Sequence, residues 1–141
     1  MTATRDDMLA SLKSHVVPQL RSMGFKGSMP HFYRDRNGGI DLLAFQFSQS
    51  GGRFVVEASF VGTDRDNLCV GFKDVVPSKM RVAATRKRYR IGRESMKRDP
   101  WFIYDQAMPQ YGETMLPPDD LAKAVLVLIA AEGVPWWDSH R

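Results

Sequence analysis

The chain lacks most of what would name a reaction on sight. It holds one cysteine, Cys69, so no intramolecular disulfide can form and a stapled scaffold is excluded. Its longest apolar run, Ala124 to Ala131, falls well short of the roughly 18 residues a bilayer span requires. Met1 is followed by TATRDD and not by a basic cap and an apolar run, so a cytoplasmic location is expected, with no membrane partner. His15, His31 and His140 are scattered, and Cys69 alone could join them as a soft ligand. None has the short paired spacing of a zinc site, so no metal and no cofactor are expected. A GxSxG elbow and a Walker-type phosphate loop are both missing, and with them the usual signals of a catalytic serine or a nucleotide cradle. There is no internal repeat, linker or low-complexity tract.

What is present is ordinary in amount and uneven in placement. With 141 residues, 43% hydrophobic and 26% charged, the chain suits a single globular domain, 1–141, able to bury a core of its own. The net charge is +4, but Lys79 to Arg98 holds nine basic residues against the single acid Glu94. That segment carries +8 and the remainder therefore −4. Attraction to an anionic partner would be local.

Thr4 with Asp7 three residues on is a capping-box pattern with Asp for Glu, ahead of apolar positions Met8/Leu9, Leu12, Val16 and Leu20 at helical spacing. Pro18 should kink or pause that helix, and Gly24 should close it. HFYRDR, NGG, IDLLAFQFSQ, SGG and RFVVEASFV then read as three antiparallel strands with two glycine turns, His31 to Val61. Phe54, Val56, Ala58 and Phe60 alternate with Arg53, Val55, Glu57 and Ser59, which predicts one buried face. The stretch TDRDN resembles the start of a calcium loop, but Leu68, Cys69 and Val75 fall where that loop needs a ligand, a glycine and a glutamate. Thr85 to Gly92 is expected to form a fourth strand, with Arg86, Arg88 and Arg90 on one side and Lys87 and Tyr89 on the other. Trp101 to Tyr104 is expected to form a fifth. MPQYGETMLPP is a loop, followed by a helix from Asp119 that is apolar almost all round and should lie central in the core. Gly133 should end it, Pro135 should prevent its resumption, and Trp136-Trp137 should follow as a tucked aromatic tail. The fold class is α+β: one antiparallel sheet of four to five strands covered by an N-terminal and a C-terminal helix.

Several of these features together resemble the DUF4304 family of bacterial domains of unknown function. They are the proline-containing first helix ending in Gly24-Phe25-Lys26, then Phe32-Tyr33-Arg34, Phe45-Gln46 and Gly52-Arg53-Phe54. Arg90-Ile91-Gly92, Asp99 with Trp101, and the Gly133-Val134-Pro135-Trp136 end also fit. The resemblance implies an α+β fold with a mainly antiparallel sheet and imports no agreed function. Some such domains are similar to immunity proteins, an analogy that would imply a protein partner.

Two groups of residues stand out as candidate binding sites. Arg34, Gln46 and Arg53 lie on consecutive strands among apolar neighbours. Converging beside Arg90 and Trp101, they would form a small-anion pocket for a carboxylate or phosphate, whereas the plainer role is pairing with Asp35 or Glu57. Arg86, Arg88 and Arg90 form a basic strand side, suited to an acidic protein partner or, with Tyr89 to stack on a base, to nucleic acid. A charged strand also protects a sheet edge from pairing with another chain. The leading expectation is a non-enzymatic binding domain that recognises a protein partner through the basic segment.

Overall fold

The computed structural model describes residues 3–96, 99–108 and 115–140. Lys97 and Arg98 of the basic segment, and part of the 108–118 loop, lie outside the described residues.

Thr4 caps helix α1 (Arg5–His15) through the expected box, its hydroxyl accepting from the Asp7 amide and the Asp7 carboxylate accepting from the Thr4 amide. The chain breaks at Val16, and a second helix, α2 (Val17–Ser22), starts with Pro18 in its first turn, where the missing N–H costs nothing. Gly24, at φ 97°, closes α2: its amide bonds to Arg21 O and that of Phe25 to Leu20 O, a Schellman arrangement. Phe25 is thereby turned into the core.

Five strands follow in meander order: β1 (Lys26–Ser28), β2 (His31–Arg36), β3 (Gly39–Phe47), β4 (Arg53–Val61) and β5 (Arg88–Arg90). A sixth, β6 (Phe102–Ile103), also pairs with β4, opposite Arg53 and Phe54. All pairs are antiparallel. Asn37 (φ 48°) and Gly38 (φ 86°) make the two-residue turn between β2 and β3, both left-handed as a type I′ hairpin requires.

Register places Phe32, Leu43, Phe45, Phe54, Val56 and Ala58 on a front face, where they join Met8, Leu12, Leu121, Val125 and Ile129 from the helices. The front layer is α1 and α2 with α4 (Pro118–Leu128), which packs on α1. Ser11 donates to Asp119 at 2.7 Å across that contact, and His15 lies 3.1 Å from the same carboxylate.

The rear face carries a smaller second core of Ile40, Leu42 and Val61 under Leu68, Met80, Val82 and Ala84. One buried face was expected, and instead both are covered over part of their length. The cause is the segment 62–84, which folds back over the sheet through 3₁₀ turns at Pro77–Lys79 and Val82–Ala84. Asn67 holds it there, donating to Phe60 O at 2.7 Å and accepting from the Lys87 amide at 2.8 Å.

Four other expectations are corrected. The fourth strand is short: Thr85 makes only an isolated bridge to Leu68, and ladder pairing covers Arg88–Arg90. The strand at Trp101 to Tyr104 is reduced to Phe102–Ile103. The last helix is an outer layer and not a central rod, since Val127 is 65% exposed. Gly133 does not end it either. A π-helical turn, Ile129–Gly133, passes directly into α5 (Val134–Ser139), with Pro135 in the first turn where an absent N–H is tolerated. Trp137 is fully buried as a result, and its indole donates to Ser59 O at 2.9 Å.

Arg34 and Asp41 face each other directly across β2 and β3, both buried, with guanidinium nitrogens 3.0 and 2.7 Å from one carboxylate oxygen. Removing one partner leaves the other charge buried, which costs about 3 kcal/mol or more, whereas an apolar pair of similar volume avoids that cost. Asp41→Asn should therefore lower the urea-unfolding free energy by about 3 kcal/mol, and Arg34→Met with Asp41→Leu should recover most of it. A double variant as unstable as the single one would show that the loss has another origin.

Candidate functional site

The segment 62–84 covers one end of the rear face and leaves the other open. Pairing sets His31, Ala44, Glu57 and Arg90 in one row across β2, β3, β4 and β5. Ala44 has no side chain beyond its methyl, so the row dips between His31 and Glu57. A groove of about 560 Å³ occupies that dip and wraps round the β3 edge towards α1. Leu9, Met29, Pro30, Phe45, Phe47 and Val82 give it an apolar lining.

Its rim is cationic. Arg5 and Lys13 stand on it from α1 and Arg88 from β5, against the single lining acid Glu57. Arg5 lies over the Phe47 ring at 5.1 Å and, like Lys13, has no carboxylate within ion-pair distance among the described residues. Arg88 is oriented by two backbone carbonyls, Thr85 O at 3.0 Å and Ala83 O at 2.9 Å, which hold it without neutralising it. The His31 ring also lines the groove, with Nδ1 buried and no hydrogen-bond partner among the described residues. Burial, with the Arg81 charge adding to it, pushes its pKa below the ordinary imidazole value.

Of the residues singled out in the sequence, the five expected to converge as an anion pocket, Arg34, Gln46, Arg53, Arg90 and Trp101, do so only in part. Arg34 is on the front face, with Nη1 donating to Met23 O and the guanidinium over the Phe25 and Trp137 rings at 4.6 and 5.4 Å. Its carboxylate partner is Asp41, not Asp35 or Glu57. Gln46 is exposed in the groove wall. Arg53 and Arg90 do converge on Trp101, at 4.3 and 5.4 Å from its ring. There the chain supplies its own carboxylate: Asp99 accepts from the Trp101 indole at 3.0 Å and pairs with Arg90 at 2.9 Å. An internal acid thus takes up the place read from the sequence as a seat for an external anion. Arg86 is exposed and in no ion pair among the described residues.

Sequence reasoning missed Glu132, which organises the end of the basic segment. One carboxylate oxygen accepts from the Tyr89 hydroxyl (2.8 Å) and the Gly92 amide (3.0 Å), the other from the Ser95 hydroxyl and amide. It therefore seats the short helix α3 (Arg93–Met96) on the last helix. Burial alone would raise its pKa; the bonds from Ser95 and Tyr89 outweigh that and hold it below the ordinary carboxylate value. Tyr89, half-buried and beside that charge, has its pKa pushed up to about 12, by burial first and then by Glu132. The one signal in the sequence was a lone acid at the end of an apolar helix, in LVLIAAEG.

Among the described residues, no group of three or more His, Cys, Asp and Glu side chains could hold a metal ion. What the groove offers is an apolar floor, fixed cations on two walls and polar groups at Gln46 and His31. That set is chemically complementary to an anionic group flanked by apolar ones.

The fold and this groove define a small α+β domain with a half-covered antiparallel sheet. Residues 16–139 match the family described as a domain of unknown function, DUF4304, and the chain belongs to that family. The match leaves out α1, with Arg5 and Lys13. No curated protein and no solved structure matches the chain.

Glu132 gives a pH dependence with a definite sign. Its folded pKa lies below 4.5, so its stabilising contribution is complete above that pH and is lost as pH falls through the folded value. Glu132→Gln should cost about 2 kcal/mol at pH 7, and the gap from the wild type should narrow steadily below pH 4.5. Unfolding curves with a constant gap between pH 7 and pH 3 would contradict this.

Proposed function

We propose that this domain is a non-enzymatic binding module for an acidic protein partner. The contact surface is the basic segment together with the groove that Arg88 borders. The observation that carries this reading is the rim: cations from α1 and from β5, remote in sequence, flank one largely apolar groove, in no ion pair among the described residues and with Glu57 as the single lining acid. Fixed charges of one sign around an apolar floor favour a partner bearing acids next to apolar side chains. Arg86, Lys87 and Arg93 are exposed on the neighbouring chain and extend the positive field.

A nucleic-acid reading has less support. Tyr89, the aromatic that would stack on a base, faces the front core, bonds to Glu132 and lies 5.9 Å from the Trp136 ring. Phosphate contacts would remain without a stacking platform.

The test compares probes of equal charge by fluorescence anisotropy: a labelled peptide of glutamate, valine and leucine, a single-stranded oligonucleotide and a duplex. The peptide should bind at least about tenfold tighter than either nucleic acid, and Arg86→Glu with Lys87→Glu and Arg93→Glu should weaken it about tenfold. The melting temperature should stay within about 3 °C, since all three side chains are solvent-facing. Tighter oligonucleotide binding with a steep salt dependence would overturn the reading in favour of nucleic acid.

A further inference from the structure

The groove meets the sheet where the end of the central strand β3 runs past its neighbour β2. β2 starts opposite Ala44, whereas β3 runs on to Phe47. Past Ala44, the backbone bond on that side among the described residues is from the Phe45 amide to Pro30 O at 2.9 Å. The Ser48 amide bonds to Arg53 O on β4, so alternation along an antiparallel strand turns the Gln46 backbone towards β4 and that of Phe47 towards the open side. The N–H and C=O of Phe47 thus line the groove with no partner among the described residues, next to the exposed Gln46, while Pro30 covers the edge at Phe45.

We infer that the groove takes an extended acidic peptide of the partner as an added strand that begins past Pro30 and pairs with Phe47. This rests on the acidic-partner reading and gives its mode and place. An added strand satisfies the free backbone groups of Phe47, and its side chains alternate to the two sides of the edge. On the front side the groove is lined by Leu9, Arg5 and Lys13, and on the rear side by Ala44, Val82 and Arg88. Both sides therefore present apolar residues beside a cation, and Glu57, the single lining acid, stands on the rear side, so acids are better accommodated on the front. A strand edge left open also invites pairing with any exposed chain. Here the cationic rim selects against basic segments and against this domain's own positive edge strand, β5.

The probe is a blocked heptapeptide of alternating glutamate and valine, titrated into the whole chain and followed by amide NMR. The largest shifts should fall on Ala44, Gln46 and Phe47, and exchange of the Phe47 amide should slow by about tenfold or more. Arg5→Glu with Lys13→Glu, both exposed, should weaken binding about tenfold with the far-ultraviolet spectrum unchanged. The same peptide N-methylated at every second residue should lose binding in one of the two methylation phases, since only one edge of an added strand pairs. Equal binding of both methylated forms would reduce the interaction to charge and overturn the strand mode. Shifts confined to Arg86, Lys87 and Arg93 would overturn the site and leave the acidic-partner reading standing. Failure of the peptide to bind, with an oligonucleotide bound instead, would overturn both.

Discussion

The cross-strand pair of Arg34 and Asp41 is the constraint on which the arrangement of both faces rests. The Asn37-Gly38 turn brings these residues opposite one another, and burial makes any other partnering expensive. A slip of one residue would set Arg34 against Ile40 or Leu42 and move every front-face side chain to the rear. Phe45 would exchange with Gln46, and Val56 with Glu57. The same guanidinium lies on the Phe25 and Trp137 rings, so the first hairpin, the end of α2 and the start of α5 meet at one buried charge. Arg36 joins them by bridging Asp41 and Asp138.

With the register fixed, the difference between the faces follows. The front is closed by helices and holds the larger core, whereas the rear is closed only where 62–84 lies over Ile40, Leu42 and Val61. The groove is what remains between that cover and the end of β2. Its floor is apolar because Ala44 and its neighbours belong to a sheet built to be covered, and its walls are cationic because α1 and β5 reach it from opposite sides. The positive charge of the segment 79–98 is thus divided in the fold. Arg88 and Arg90 are held by carbonyls or by Asp99, while Arg86, Lys87 and Arg93 stay free in solvent.

The sheet was legible in the sequence because its signals are local. Asn37-Gly38 dictates a turn, and the two-residue period of β3 and β4 dictates their faces. The helix N-terminus at Thr4 and the glycine stop at Gly24 were legible for the same reason. What could not be read depends on contacts between distant residues. Asp41 as the partner of Arg34, Asp99 as the filler of the Trp101 site and Glu132 as the seat of α3 are each settled only when the chain closes. The rear cover was hidden because 62–84 folds through bends and 3₁₀ turns that have no periodic signature. Pro135 misled in the other direction: a proline after a glycine reads as a stop, and here it opens a new helix behind a π turn. The groove depends on which strand ends first, which no local pattern states.

A partner seated on the uncovered part of the rear face, as proposed, would lie against Ala44. Ala44 is the residue whose smallness makes the dip, so Ala44→Trp should fill it with a ring projecting from the strand into existing space. The measurement is the affinity of this variant for the acidic peptide, taken beside its melting temperature. Cooperative unfolding close to that of the wild type is expected, with peptide binding reduced by about tenfold or more. Wild-type affinity in a folded Ala44→Trp protein would contradict the proposed placement.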